Sequence, residues 1–349
     1  MMVCLANLLR RSLSRRLVVL ATLLLLVTAC IPAAPAAPAA ETGDTDAATE
    51  ANAQSAAGSG EDVIIKLAVN PWSASELNVA VASILLEEEL GYTVEQVAVA
   101  EQAQWPALAA GDLHASLEVW PSGHMANVQQ YIEEQGVVED GGLLGPVGRI
   151  GWYLPSYLLD EHPELATWEG LANDENAALF ATAETGDAGQ LLFGDPSWVT
   201  YEADIIENLG LNFQIVQAGS EEAIVAALDA AYSREDPILF YFWTPHSIHA
   251  KYELTRVELP EYTEECYAEA ESGGVDCDYP PDELFKIFWP GLQESAPAAY
   301  ELLHNMQYST DDQISMIAAV ELDGATVEEA ARAWLDNNAA VWQAWLPQN

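Results

Sequence analysis

The stretch from residue 62 to residue 99 constrains this chain most. It reads "DVIIKLAV" (62–69), then "SASELNVAVASILLEEELGY" (73–92), then "TVEQVAV" (93–99). The outer runs are short, rich in β-branched residues and bounded by turn formers, the pattern of strands. The middle run repeats apolar residues at helical spacing, with Ser73 and Glu76 set as a capping box and Gly91 placed to end it. Strand, helix and strand at this spacing require a parallel pair joined by a right-handed crossover, so an α/β fold is expected.

The pattern recurs along the chain. A short helix around "WPALAAG" (105–111) leads into the strand "LHASLEVW" (113–120). A second unit opens near residue 145 with "RIGWYLPSYLL", strand-like "AALFAT" (177–182) and a helix over 199–211. It continues with a strand "NFQIVQA", a helix over 220–236 and an apolar strand "PILFYFW" (237–243). Helices are expected after a cysteine loop, the last over 326–346 with Thr326 and Glu329 as a capping box. Trp334, Val341, Trp342 and Trp345 read as the stripe by which that helix docks.

The N-terminal region belongs to neither unit. Arg10, Arg11, Arg15 and Arg16 precede "LVVLATLLLLV" (17–27), too short to span a bilayer, and "VTAC" ends at Cys30. This predicts a lipoprotein signal over 1–29, exported by the Sec or Tat route, with Cys30 as lipid acceptor. An ordinary signal peptide cut near "AAPAA" is the alternative. Residues 30–60, almost all Ala, Pro, Gly, Ser, Thr and acid, read as a disordered tether. Cys266 and Cys277 remain, in an acidic, Gly-rich loop of an exported chain, and are most simply a disulfide.

Charge excludes one class of partner. Asp and Glu number 55 against 11 Lys and Arg, a formal net charge of -44, so nothing would neutralise a nucleic acid backbone. Such a surface repels itself, and a monomer is expected. Enzyme signatures are missing as well: there is no G-x-S-x-G, H-E-x-x-H, P-loop or dinucleotide fingerprint. His246 and His249 in "HSIH" lack an evident third ligand, so neither metal nor cofactor is expected.

What stands out is a set of tryptophans at turns and strand ends: Trp72 in "NPWSAS", Trp120 in "EVWPSGH", Trp198 in "GDPSWVTYE" and Trp243 in "YFWTPH". Ligands of open α/β sheets bind beyond the carboxyl ends of strands, where such rings present their π faces to a cleft. A quaternary ammonium suits several π faces at once, each contact contributing about 0.5–2 kcal/mol. Three contacts supply roughly 2–6 kcal/mol, whereas micromolar affinity needs about 8, so a second anchor is required. A helix starting at Trp198 would offer the backbone N–H groups of Val199 and Thr200 to a carboxylate, with His124 donating from the other side. Cation in a cage and carboxylate at its rim describe a betaine.

The stretches "LEEELGYTVE", "GDLHASLEVWPSGH", "GDPSWVTYE", "ILFYFWTPH" and "AWLDNNAAVWQAWL" resemble the glycine betaine-binding proteins of osmoprotectant ABC transporters. The resemblance implies a two-lobed type II periplasmic-binding-protein fold, with 61–149 and 247–349 as lobe 1, 150–246 as lobe 2, and hinges near 145–150 and 244–256. It implies Trp120, Trp198 and Trp243 as the cage, His124, Val199 and Thr200 as carboxylate contacts, and a membrane permease as partner. Val199 and Thr200 replace smaller residues of some relatives. Ala74 stands where choline-preferring relatives carry an acid, so choline would lose its counter-charge; choline, carnitine or proline betaine binding, or a sensory ligand-presenting lipoprotein of the same fold, are the alternatives to glycine betaine uptake.

Overall fold

The opening strand pair forms as its pattern requires. In the computed structural model, which describes residues 63–268 and 270–348, β1 (Ile64–Val69) and β2 (Thr93–Ala98) run parallel, Ile64 opposite Thr93. The helix between them, α1 (Ser73–Glu88), is buried along nearly its whole length. It is covered on nearly all sides because it packs inside its lobe rather than on the surface. Next come α2 (Glu101–Ala110), ended by Gly111 in the left-handed region, and β3 (Ala115–Val119), whose five residues are all buried. α3 (Pro121–Asn127) follows, started by Pro121, whose fixed φ suits the first helical position.

The strand that organises the molecule is β4 (Glu139–Pro155), 17 residues long. Its first half, Glu139 to Gly148, pairs antiparallel with β9 (Asp282–Phe288); its second half, from Arg149, pairs with β7 (Phe240–Thr244) and β8 (Leu254–Arg256). With β5 (Gly189–Phe193) and β6 (Phe213–Gln217), the sheet order is β2-β1-β3-β9-β4-β7-β5-β6, β8 lying against β4. Two α/β lobes thus share one strand. α4 (Glu202–Asn208) and α5 (Glu221–Tyr232) belong to the second lobe. α6 (Pro297–Asn305), α7 (Thr310–Glu321) and α8 (Val327–Asn337) return to the first, α7 and α8 packing on α1.

The pairing draws the lobe division later than the sequence does. β8 pairs with the far half of β4, and Glu258 bridges Thr167, so the chain regains the first lobe only on entering β9, not at 247. Arg256 marks the crossing. Its guanidinium donates to Ile150 O on β4 and to the Asp278 carboxylate, tying the returning segment to the shared strand.

Four local expectations are corrected. Residues 177–182 are not a strand: Asn173 caps a short helix (Asp174–Ala177) by accepting from Glu175 N, and a 3-10 turn (Ala178–Phe180) follows. The helix expected over 199–211 begins at Glu202, leaving Val199 and Thr200 in a loop. Ser73 makes no capping box with Glu76; Trp72 precedes the helix, and Ser73 instead bonds Glu221 of the other lobe. The helix expected over 326–346 is broken after Asn337, its Thr326–Glu329 capping box intact; a short helix (Ala339–Trp342) follows, and Trp345 stacks on Trp334 at 5.8 Å.

The residues expected as signal peptide, lipid acceptor Cys30 and tether lie outside the described residues. Within them, Cys266 and Cys277 are joined by a disulfide, and no helix is long and apolar enough to cross a membrane.

Candidate functional site

Four tryptophans converge where the lobes meet. Trp72 and Trp120 come from the first lobe, from the turns after β1 and β3; Trp198 follows β5 and Trp243 lies in β7 of the second. Trp198 and Trp243 stand nearly perpendicular with centroids 5.1 Å apart, and Trp120 meets Trp243 at 6.4 Å and 71°. With Trp72, Tyr241 and Glu101 they line a cavity of about 30 Å³. A cavity this small suits a compact group such as a methylated ammonium.

Two glycines make the cage possible. A Cβ on Gly148 would lie 2.2 Å from the ring of Trp120, and one on Gly194 would lie 2.1 Å from that of Trp198. Neither ring can take its position beside a larger residue. A third, Gly123, allows α3 to approach the opposite lobe, where a Cβ would meet Val199 O at 2.6 Å.

The rim differs from the sequence expectation. His124 is buried and does not line the chamber. Its Nδ1 accepts from Trp105 Nε1 at 3.2 Å, so Nε2 carries the hydrogen and donates to Glu101 Oε2 at 3.1 Å. The same carboxylate oxygen accepts from Val199 N at 3.1 Å. Glu101 therefore sits between the two donors assigned above to a ligand carboxylate. Thr200 lies off the chamber wall.

Nothing in the sequence singles out Glu101, one of 55 acids and placed at the start of α2, where acids are ordinary. Only the fold brings it opposite Val199.

The lobe-1 rings are held from behind by Glu118, which is buried beneath the chamber. Its Oε1 accepts from Trp72 Nε1 at 2.8 Å and Trp120 Nε1 at 3.0 Å; its Oε2 accepts from Gln313 Nε2 at 3.1 Å and from Asn78 Nδ2. Burial pushes this carboxyl up to about 7, against the pull of the indole and amide donors. Across the cleft, Trp243 stacks on Phe242 at 4.4 Å and 7°, and Trp198 is backed edge-to-face by Phe193 at 5.6 Å.

The lobes also bond directly. Trp198 Nε1 donates to Pro71 O at 3.3 Å, and Ser73 donates to Glu221 from both N and Oγ. His246 Nε2 lies 2.7 Å from Glu221 Oε1 and 3.1 Å from Glu321 Oε1. Burial alone would lower the imidazole, yet the bonds and charges of the two carboxylates push it up to about 9.

An aromatic chamber closed between two α/β lobes that share a strand defines a solute-binding protein. The chain belongs to the OpuAC family, the substrate-binding domain of the ABC-type glycine betaine transport system, which matches residues 64–337. It is a substrate-binding component of the ABC-transporter type. Among similar proteins, the trimethylamine N-oxide-binding protein of Pelagibacter ubique is 29% identical over 304 residues, 84% of this chain and 93% of that one. The fold matches lactococcal OpuAC closed on glycine betaine, with TM-score 0.65 and 20% identity over 82% of this chain and all of that one. It also matches a choline-binding protein in complex with choline, with TM-score 0.64 and 19% identity over 81% of this chain and 92% of that one.

Proposed function

We propose that this protein captures a compact trimethylated amine whose polar end shares a proton with Glu101, trimethylamine N-oxide first, and hands it to an ABC permease. The observation that carries the reading is the place of Glu101, which holds the donors a betaine carboxylate would need. A second carboxylate there would meet a like charge in a desolvated chamber. An N-oxide oxygen has no such conflict: one proton between it and the Glu101 carboxyl makes a charge-assisted hydrogen bond. Four aromatic faces supply roughly 2–8 kcal/mol, and that bond brings the sum into the micromolar range. The similarity to a protein named for trimethylamine N-oxide supports the same ligand.

Choline ranks second in this reading, since its hydroxyl can donate to Glu101, with glycine betaine and carnitine behind it; the small chamber and the position of Glu101 support this order. Cys30 would carry the lipid anchor, holding the domain outside the cytoplasmic membrane on a tether over 30–60. Closure about β4 and the returning segment at Arg256 would seal the chamber. Calorimetric titration of the purified chain tests the ligand. Trimethylamine N-oxide is expected to bind most tightly and with net uptake of protons, and Glu101→Gln to reverse its advantage over glycine betaine. Tighter binding of glycine betaine to the wild type, unaffected by Glu101→Gln, overturns the assignment.

A further inference from the structure

We propose that Glu118, which touches no ligand, is the residue that makes this chamber selective for cations: its carboxylate positions Trp72 and Trp120 by their indole N–H groups and lends both rings its charge. The inference rests on the chamber being a quaternary ammonium site. The geometry is that of one oxygen accepting two indole hydrogens, at 2.8 and 3.0 Å, from rings that line the cavity. An N–H donated to a carboxylate polarises the indole toward a more negative face, the face a cation seeks. The second oxygen accepts from Gln313 and Asn78, so every hydrogen bond described for Glu118 is accepted, as an ionised carboxylate requires.

The charge is buried, and among the described residues no cation pairs with it. The ionisable groups that face it are Glu221 from the second lobe and Tyr308, whose hydroxyl is held neutral by burial first and by the Glu118 charge next. The counter-charge is therefore left for the ligand to supply. Burial keeps Glu118 partly protonated near neutrality, and a cation entering the cage favours the ionised form. Binding of a fixed cation must then expel protons from Glu118. A purely structural carboxylate, with no coupling to the chamber, would expel none.

The probe is tetramethylammonium, which carries a permanent charge and no exchangeable proton. Titration calorimetry in buffers of different ionisation enthalpy counts the protons released. The wild type is expected to release up to about half a proton per ligand at pH 7, and almost none at pH 9. Glu118→Gln is nearly isosteric, and its new amide can be met by turning the Asn78 amide, whose Oδ1 has no partner here. The variant is expected to bind tetramethylammonium at least about tenfold more weakly at pH 8, with the difference shrinking toward pH 5.5 and no proton release. Wild-type binding without proton release at pH 7, or equal affinity of the two proteins at pH 8, overturns the role of Glu118 and leaves the cage standing. Failure of the wild type to bind tetramethylammonium at all removes the quaternary ammonium reading itself, and this inference with it. The proton count needs no variant, so a Glu118→Gln protein that fails to fold does not spare the proposal.

Discussion

The two halves of the chamber are built by different physics. In the first lobe, Trp72 and Trp120 are oriented by hydrogen bonds to one buried carboxylate. In the second, Trp243 lies flat upon Phe242 and Trp198 packs against Phe193, its one indole hydrogen bond going to the neutral carbonyl of Pro71 rather than to a charged group. The polar half fixes directions and carries charge, so it responds to pH and to ligand charge. The aromatic half contributes area and stiffness, and responds to neither. A cation therefore meets rings made electron-rich on one side and a rigid apolar wall on the other.

The sharpest way to break the comparison is to remove one ring from each half. Trp243→Ala and Trp120→Ala are each expected to lower affinity for a trimethylammonium ligand at least about a hundredfold. Each loses a ring contact and also opens the cage to water. Circular dichroism should show the fold unchanged, because both rings border the chamber and α1 and the strands retain their own core. The halves separate in what remains. Trp120→Ala leaves Glu118 with one indole donor fewer and should alter the proton release on binding, whereas Trp243→Ala should leave it at the wild-type value.

This division was only partly legible in the sequence. The strand-helix-strand start and the tryptophans at strand ends could be read because periodicity and turn residues are local signals. β5 and β9 could not. "QLLF" is too short to stand out, and β9 carries Asp282 and Lys286 inward, breaking the apolar run a buried strand usually shows. Lys286 is tolerated there because its ammonium donates to His304 O and Met306 O at the end of α6, while burial lowers it to about 7. Asp282 is held by Ser122 N and Oγ. Glu101 and Glu118 escaped for the same reason. Among 55 acids nothing marks the two that lie at the chamber, and only the tertiary fold makes one a rim and the other a foundation.

The joint between the halves gives an effect of intermediate size. His246 of the second lobe meets Glu321 of the first, with Ser73 bonded to both carboxylates that flank it. Its folded value of about 9 lies above the unfolded value of about 6.5, so the stability it contributes is complete below pH 6.5 and is lost as pH rises through 9. Glu118 and Glu202, both pushed up to about 7 by burial, act in the same direction over lower pH, since the folded state keeps protons that the unfolded chain has released. Lys286, lowered to about 7, acts in the opposite direction above pH 7 and offsets part of this, so the melting temperature is expected to fall by only a few degrees between pH 6 and pH 9. His246→Gln should lower it at pH 6 and flatten the dependence above pH 6.5. A melting temperature that rises over this range would contradict the assignment.

The smallest effect sharpens the comparison most. Phe193→Leu keeps an apolar side chain beneath Trp198 but removes the edge-to-face ring contact at 5.6 Å and the tilted contact with Tyr241 at 4.7 Å. Aromatic pairs contribute about 0.5–1.5 kcal/mol beyond their buried area, so affinity should drop by only about two- to tenfold. Since no charge is altered, the factor should be the same at pH 6 and pH 8 and the same for trimethylamine N-oxide and tetramethylammonium. Titrating both ligands at both pH values checks this. A pH-dependent loss in Phe193→Leu would mean that the aromatic wall also conducts the charge of Glu118, and the two halves would then act as one electrostatic unit.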